Sequence, residues 1–149
     1  LIIAAAAPVA YILTLARAPE AVAAFINAVA DNPILFLLLL NAFFLILGSI
    51  MEPGAAMIIS VPIFVPIAGD FGIDPLHFAI IVIVNLSIGC ITPPIGTSLY
   101  AVAAVAKMPV EHLIRAIVPF ILVEIGLLLI ITFVPSLSLT LPRLLGLHI

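Results

Sequence analysis

The sequence predicts an all-α integral membrane fold with one re-entrant helical hairpin and one broken transmembrane helix. Three observations carry this. Of 149 residues, 66% are hydrophobic and 7% charged, whereas soluble domains carry about 25% charged residues. Mean hydropathy is +1.55. Thr92-Pro93-Pro94-Ile95-Gly96 interrupts an uncharged run from Phe78 to Ala106. Two prolines and a glycine inside a membrane crossing remove helix hydrogen bonds that lipid cannot replace, so protein or a polar cavity must surround such a break.

Leu1 to Ala16 is apolar but shorter than the roughly 20 residues of a spanning helix, so it reads as a truncated or partial crossing. The chain opens on Leu1 within an apolar run that no basic segment precedes, which suits a piece of a longer protein and not a signal peptide. Arg17-Ala-Pro-Glu20 is a charged turn, with Pro19 in the first turn of a new helix. Ala21 to Ala30 is weakly amphipathic and reads as an interfacial arm helix or a plain connector, completing a first segment of residues 1–31.

Asn32-Pro33 restarts the chain. Ile34–Leu47 and Ala55–Ala68 are apolar arms around Gly48-Ser-Ile-Met-Glu-Pro-Gly54, and a polar turn ending at Asp74 closes the segment 32–74. Arms of about 14 residues reach about 21 Å, short of a hydrocarbon core of about 30 Å. That favours a hairpin with its tip (48–54) at depth over two full crossings, and Pro62 and Pro66 kink the second arm further. Residues 75–106 run about 32 residues, or about 48 Å as one helix, too long for a single span, so the break at 92–96 splits them into two half-helices. The last segment, 107–149, has a polar turn from Lys107 to His112, a crossing over Ile117–Phe133 carrying Pro119 and Glu124, and a tail from Pro135 expected at the surface. The basic residues divide evenly between the two sides, Lys107 and Arg115 against Arg17 and Arg143. We take the former pair as cytoplasmic.

In the hairpin and the broken helix, two helices end at depth and two begin. Helix C-termini expose carbonyl oxygens with partial negative charge; N-termini expose N–H groups with partial positive charge. One site then offers oxygens to a cation and amides to an anion, as in secondary transporters. Gly48, Gly54, Gly89 and Gly96 permit close backbone approach, and Ser49, Ser87, Thr92, Thr97 and Ser98 add hydroxyls. Glu52 at the tip is a functional candidate because intramembrane acids are costly, set against a shallow tip where it simply meets water. For Glu124 the expectation is a packing role. Asn41 and Asn85 are expected to be interhelical glue, His77 and His112 to be solvated at crossing ends, and Cys90 to be a small packing residue.

A net charge of −3 argues against nucleic acid as a partner. The single cysteine allows no internal disulfide, and no zinc spacing links Cys90, His77, His112 and His148. No Gly-x-Ser-x-Gly or His-Glu-x-x-His motif marks an enzyme. No cofactor is expected.

Asn85-Leu-Ser-Ile-Gly-Cys-Ile-Thr-Pro-Pro-Ile-Gly96, with Gly72-Ile-Asp-Pro75 before it and Pro109 and Pro119-Phe120 after it, resembles the large membrane subunit of tripartite ATP-independent periplasmic (TRAP) transporters, the DctM-like subunits. Gly48–Glu52 and Pro62-Ile-Phe-Val-Pro66 also fit. The resemblance spans nearly the whole chain but only the C-terminal repeat of that subunit. It implies one inverted repeat of an elevator-type, Na⁺-driven importer of small carboxylates such as C4-dicarboxylates or sialic acids, multi-pass in the bacterial inner membrane. It implies as partners a small membrane subunit, a periplasmic substrate-binding protein and the N-terminal repeat of the same subunit. It implies a Na⁺ site at Gly48, Gly89, Thr92 and Ile95, held by backbone carbonyls and the Thr92 hydroxyl. Ser49, Glu52, Gly54, Pro94, Gly96, Thr97 and Ser98 are expected to line the site. A carboxylate carrier or antiporter without a binding protein is the alternative.

Overall fold

The computed structural model describes residues 8, 11–13, 15–30, 32–93 and 95–144, which are helical apart from short turns, bends and irregular links. Most of the partial crossing expected over Leu1–Ala16 lies outside the described residues, as do Pro94 and the last five residues of the tail. In chain order the helices are α1 (Ala18–Val29), α2 (Pro33–Ile50), α3 (Pro53–Asp70), α4 (Pro75–Cys90), α5 (Thr97–Ala106), α6 (Val110–Phe133) and α7 (Pro135–Leu144).

Three of these helices start alike. Asn32, Glu52 and Asp74 each precede a proline, and each side chain accepts from backbone N–H groups of the first turn. Proline at the first helical position gives up an N–H that had no partner, and the residue before it covers others. The contacts are Leu35 N to Asn32 Oδ1 at 2.8 Å, Gly54 N and Ala55 N to Glu52 at 2.9 and 2.8 Å, and Leu76 N to Asp74 Oδ1 at 2.9 Å.

α2, α3 and α6 are long and apolar enough to cross a membrane by length and composition. The two hairpin arms are longer than the sequence suggests, 18 residues each, or about 27 Å. Gly48, Ser49 and Ile50 stay helical at one end; Pro53, followed by Gly54, opens the next helix at once. Arm length alone therefore does not separate a re-entrant hairpin from a pair of crossings. The last crossing is also longer than expected, running unbroken through Pro119.

α2 and α4 form the centre and run in the same direction. Phe36, near the start of α2, stacks on Phe71 just before α4, with ring centroids 4.6 Å apart. Midway, Asn85 Nδ2 donates to Asn41 Oδ1 at 2.7 Å. At their ends Gly48 meets Gly89. Phe64 of α3 packs against Phe43 and Phe44, and Ile26 and Ala30 close the α1 side of this core.

A buried polar ladder ties this core to α6 and α7. Asn41 Nδ2 donates to Thr132 Oγ1 at 3.1 Å, and Thr132 Oγ1 donates to the Leu128 carbonyl at 2.8 Å. The two asparagines thus act as the interhelical glue expected of them. His77 overturns its expectation: it is buried, with Nε2 3.2 Å from the Thr132 carbonyl and Nδ1 2.6 Å from Ser138 Oγ. A carbonyl only accepts, so Nε2 carries a proton and covers one of the free carbonyls at the end of α6. The reason is α7. The expected surface tail folds back as a helix that buries Ser138 and Leu139 and covers His77.

Candidate functional site

The site is the meeting of two interruptions. α2 ends at Ile50 and α3 begins at Pro53; α4 ends at Cys90 and α5 begins at Thr97. Because α2 and α4 are parallel, both their C-termini reach the same level. Contact there is backbone to backbone. A Cβ on Gly89 would lie 2.7 Å from Gly48 Cα and carbonyl carbon and 2.9 Å from the Leu45 carbonyl; one on Gly48 would lie 2.9 Å from Leu86 Cα. Only glycine at both positions allows this approach.

The break is fastened to the tip by one backbone bond, Gly96 N–H to the Ser49 carbonyl at 3.1 Å. Gly96 has φ of 45°, in the left-handed region, and a Cβ there would lie 3.0 Å from the Thr92 carbonyl. Its own carbonyl accepts from Leu99 N at 2.8 Å, starting α5. On the other side of the break, Thr92 finishes α4. Its N–H donates to the Gly89 carbonyl at 2.9 Å and its hydroxyl to the Ile88 carbonyl at 2.6 Å. The hydroxyl proton is thus committed while the oxygen lone pairs remain.

The candidate cation ligands divide as follows. Gly48 and Gly89 are in direct contact, and Thr92 bonds to Gly89. The Gly48 carbonyl is among the last four of α2, which a helix leaves without intrahelical donors. Ile95 lies in the break with its side chain exposed, which leaves the backbone as its means of contributing. Among the lining residues, Ser49 is buried, its hydroxyl donating to the Ile46 carbonyl at 2.8 Å while its own carbonyl holds Gly96. Pro94 is outside the described residues. Thr97 Oγ1 and Ser98 Oγ lie 3.1 and 3.0 Å from Cys90 Sγ, so Cys90 joins the end of α4 to the start of α5 across the break. Sequence reasoning gave Cys90 only a packing role; its spacing of one break-length before two hydroxyls was the available signal.

The amide side departs from expectation. The Gly54 and Ala55 N–H groups, expected to be open to an anion, are held by the carboxylate of Glu52, which is itself exposed. Glu52 acts here as the N-cap of α3. At α5 the N-cap residue is Gly96, which has no side chain to cap with, and no carboxylate covers this N-terminus; its Ser98 N–H donates to the Cys90 sulfur. Chemically, then, the convergence is rich in carbonyl oxygens, contains hydroxyls whose lone pairs are free, Thr92 and Ser49 among them, and presents one helix N-terminus without a carboxylate cap. Oxygen ligands of this kind suit a hard monovalent cation.

The family model described as "Tripartite ATP-independent periplasmic transporter, DctM component" matches residues 1–137. The chain belongs to this family. It is 43% identical over 97% of its length to the C4-dicarboxylate TRAP transporter large permease protein DctM of Pseudomonas aeruginosa, covering 34% of that protein. It is 37% identical over 90% of its length to the sialic acid TRAP transporter large permease protein SiaM of Vibrio cholerae, covering 31% of it. Against the 2,3-diketo-L-gulonate TRAP transporter large permease protein YiaN of Escherichia coli the figures are 34% over 91%, covering 32%. The chain thus spans about a third of the length of the curated relatives it matches. This DctM-family chain is a multi-pass membrane protein, all-helical among its described residues, and its relatives are named as transporter permeases.

Proposed function

We propose that this chain forms the ion-binding part of a Na⁺-coupled transporter that imports small carboxylates, working with a small membrane subunit and a periplasmic substrate-binding protein in the bacterial inner membrane. One observation carries the reading: two parallel helices end side by side at Gly48 and Gly89, and the Gly96 N–H to Ser49 carbonyl bond locks the tip onto the break. The carbonyls of Gly48, Gly89 and Ile95 with the Thr92 hydroxyl oxygen would hold the sodium ion. Its charge would offset the partial negative charge of two helix C-termini. The start of α5, with Thr97 and Ser98 and no carboxylate cap, would face the substrate carboxylate. The substrates named for the three relatives above are carboxylates, which supports this class.

The depth of the tip supports a re-entrant hairpin moving as one body with the broken helix. α4 has 16 residues before the break and α5 has 10 after it, about 24 and about 15 Å. A tip held level with the break therefore stops well short of the far end of α5. An elevator motion would carry this unit as a whole, because the ladder from Asn85 through Asn41 to Thr132 ties it together.

The test is Thr92→Ala in the complete transporter, reconstituted in proteoliposomes with its binding protein. We expect roughly tenfold weaker apparent sodium affinity, about 1.4 kcal/mol. Unchanged uptake and unchanged sodium dependence overturn the site. Uptake that needs no binding protein points instead to a carrier that works alone.

A further inference from the structure

Beyond the break, one feature of the molecule is out of keeping with its surroundings. Glu124 lies within the apolar helix α6, nine residues before its end at Phe133, which is about 13 Å of helix. Its Oε2 is buried and has no hydrogen-bond partner among the described residues. A cavity of about 260 Å³ opens beside it between α4 and α6, walled by Ile83, Val84, Ile88, Ile91 and Leu127, with Ser87 as its other polar residue.

The chemistry of the walls restricts what can sit there. Ser87 donates its hydroxyl proton to the Ile83 carbonyl at 2.8 Å, so toward the cavity it offers lone pairs. Glu124 as a carboxylate is acceptor-only. The cavity therefore presents acceptors and aliphatic surface and no side-chain donor. Lipid tails match the aliphatic part and leave the Glu124 carboxylate unpaired at depth, where an uncompensated charge is costly. A lysine or arginine matches both parts. Its head is a pure donor of opposite charge, and its methylene stem packs against apolar walls.

We infer that the α4–α6 cavity is a socket for a basic side chain, lysine or arginine, carried by a transmembrane helix from the rest of the permease polypeptide and ion-paired with Glu124. Two further observations fit this occupant. The chain spans about a third of its relatives' length, and a permease of the relatives' length would have further helices to supply. On the Glu124 side of α6, Phe120 and Leu127, one turn before and after Glu124, are exposed, an apolar surface that a neighbouring helix would cover. The inference is independent of the sodium site and stands or falls separately from it.

The test uses the full-length permease in its native membrane, with a photoreactive benzoyl-phenylalanine replacing Leu127. Irradiation, digestion and mass spectrometry should yield a cross-link to an apolar peptide of the same polypeptide with a lysine or arginine within about one helical turn. Lipid adducts alone, a peptide lacking a basic residue, or a peptide from another subunit overturns the inference. Glu124→Lys should lower the melting midpoint of the purified complex by several degrees, more than Glu124→Gln does, and exchanging the identified basic residue for glutamate should restore it. Failure of that exchange counts against the pair. Infrared spectroscopy gives a readout that folding defects do not mimic: a protonated-acid carbonyl band present in the wild type and lost in Glu124→Gln means that Glu124 holds a proton and not a cation.

Discussion

The α2–α4 seam and the α6 helix obey opposite rules. Along the seam, glycine meets glycine, asparagine meets asparagine, and the apolar window of α2 is 39% buried. Along α6 the corresponding figure is 17%, and its Gly126 has nothing within 4 Å of where a Cβ would sit. Without a hydrophobic driving force between helices in lipid, small residues and hydrogen bonds supply the association. The seam has both. α6 has them only where Thr132 and Leu128 join the ladder. The difference teaches that this chain carries a finished α2–α4 seam and a helix still open to neighbours.

The largest expected effect comes from forcing the seam apart. Gly89→Ala places a Cβ 2.7 Å from the backbone of Gly48, and backbone cannot step aside as a flexible side chain can. The helices must separate, at about 3 kcal/mol, the upper end for overpacking. The Gly96 to Ser49 bond should be lost with it. Thermal unfolding of the detergent-solubilised protein measures the first, and sodium-dependent uptake by the complete transporter the second. A normal melting midpoint in Gly89→Ala means the seam is looser than the contact distances require.

Much of this region was legible in the sequence for a physical reason. Helix starts are local events: Asn32-Pro33 and Asp74-Pro75 place an acceptor one residue before a proline, and the helices begin there. The break at Thr92–Gly96 is likewise a local consequence of two prolines and a glycine. What local pattern does not encode is partnership across the chain. His77 looked solvated because its cover, Ser138, is 61 residues away. Glu52 looked like an intramembrane acid in search of a ligand, although its carboxylate is satisfied two and three residues along. The arms were underestimated because apolarity fades before helicity does: Ser49 and Gly54 are polar or flexible in type, yet helical in place.

A smaller effect tests the ladder that extends the seam to α6. Asn41→Leu removes the acceptor of Asn85 Nδ2 and the donor to Thr132 Oγ1. Asn85 keeps its bond to the Ile81 carbonyl at 2.8 Å and Thr132 keeps Leu128. The loss should be about 1 kcal/mol, since interhelical hydrogen bonds in membranes average about 0.6 and reach about 1.7. Combining Asn41→Leu with Thr132→Val should cost less than the sum of the two, because they share one bond. Strict additivity, read from the melting midpoints of the four proteins, would dissolve the ladder as a unit.

Smaller still is Lys107→Gly. Lys107 ends α5 in the left-handed region at φ of 51°, with Met108 N bonding back to the Ala103 carbonyl at 3.2 Å, the reach of a Schellman ending. Glycine relieves the Cβ strain of about 1 kcal/mol there but loosens the unfolded chain. The net should be a stabilisation of roughly 0.5 kcal/mol, seen as a slightly raised melting midpoint with unchanged uptake.

The smallest effect belongs to Gly126→Ala, and its size separates two kinds of neighbour for α6. In the isolated chain a Cβ at Gly126 meets open space, so alanine should change stability by no more than about 0.5 kcal/mol, toward stabilisation given its helix propensity. Two residues on a helix are about 200° apart, so Gly126 faces away from Glu124 and its cavity. If α6 is covered only on the Glu124 side, Gly126→Ala stays neutral in the assembled transporter too, and lipid covers that other face. A loss of stability that emerges only in the assembled complex identifies Gly126 as a second close-approach point. α6 would then be gripped from both sides, by a basic side chain on one and by helix backbone on the other.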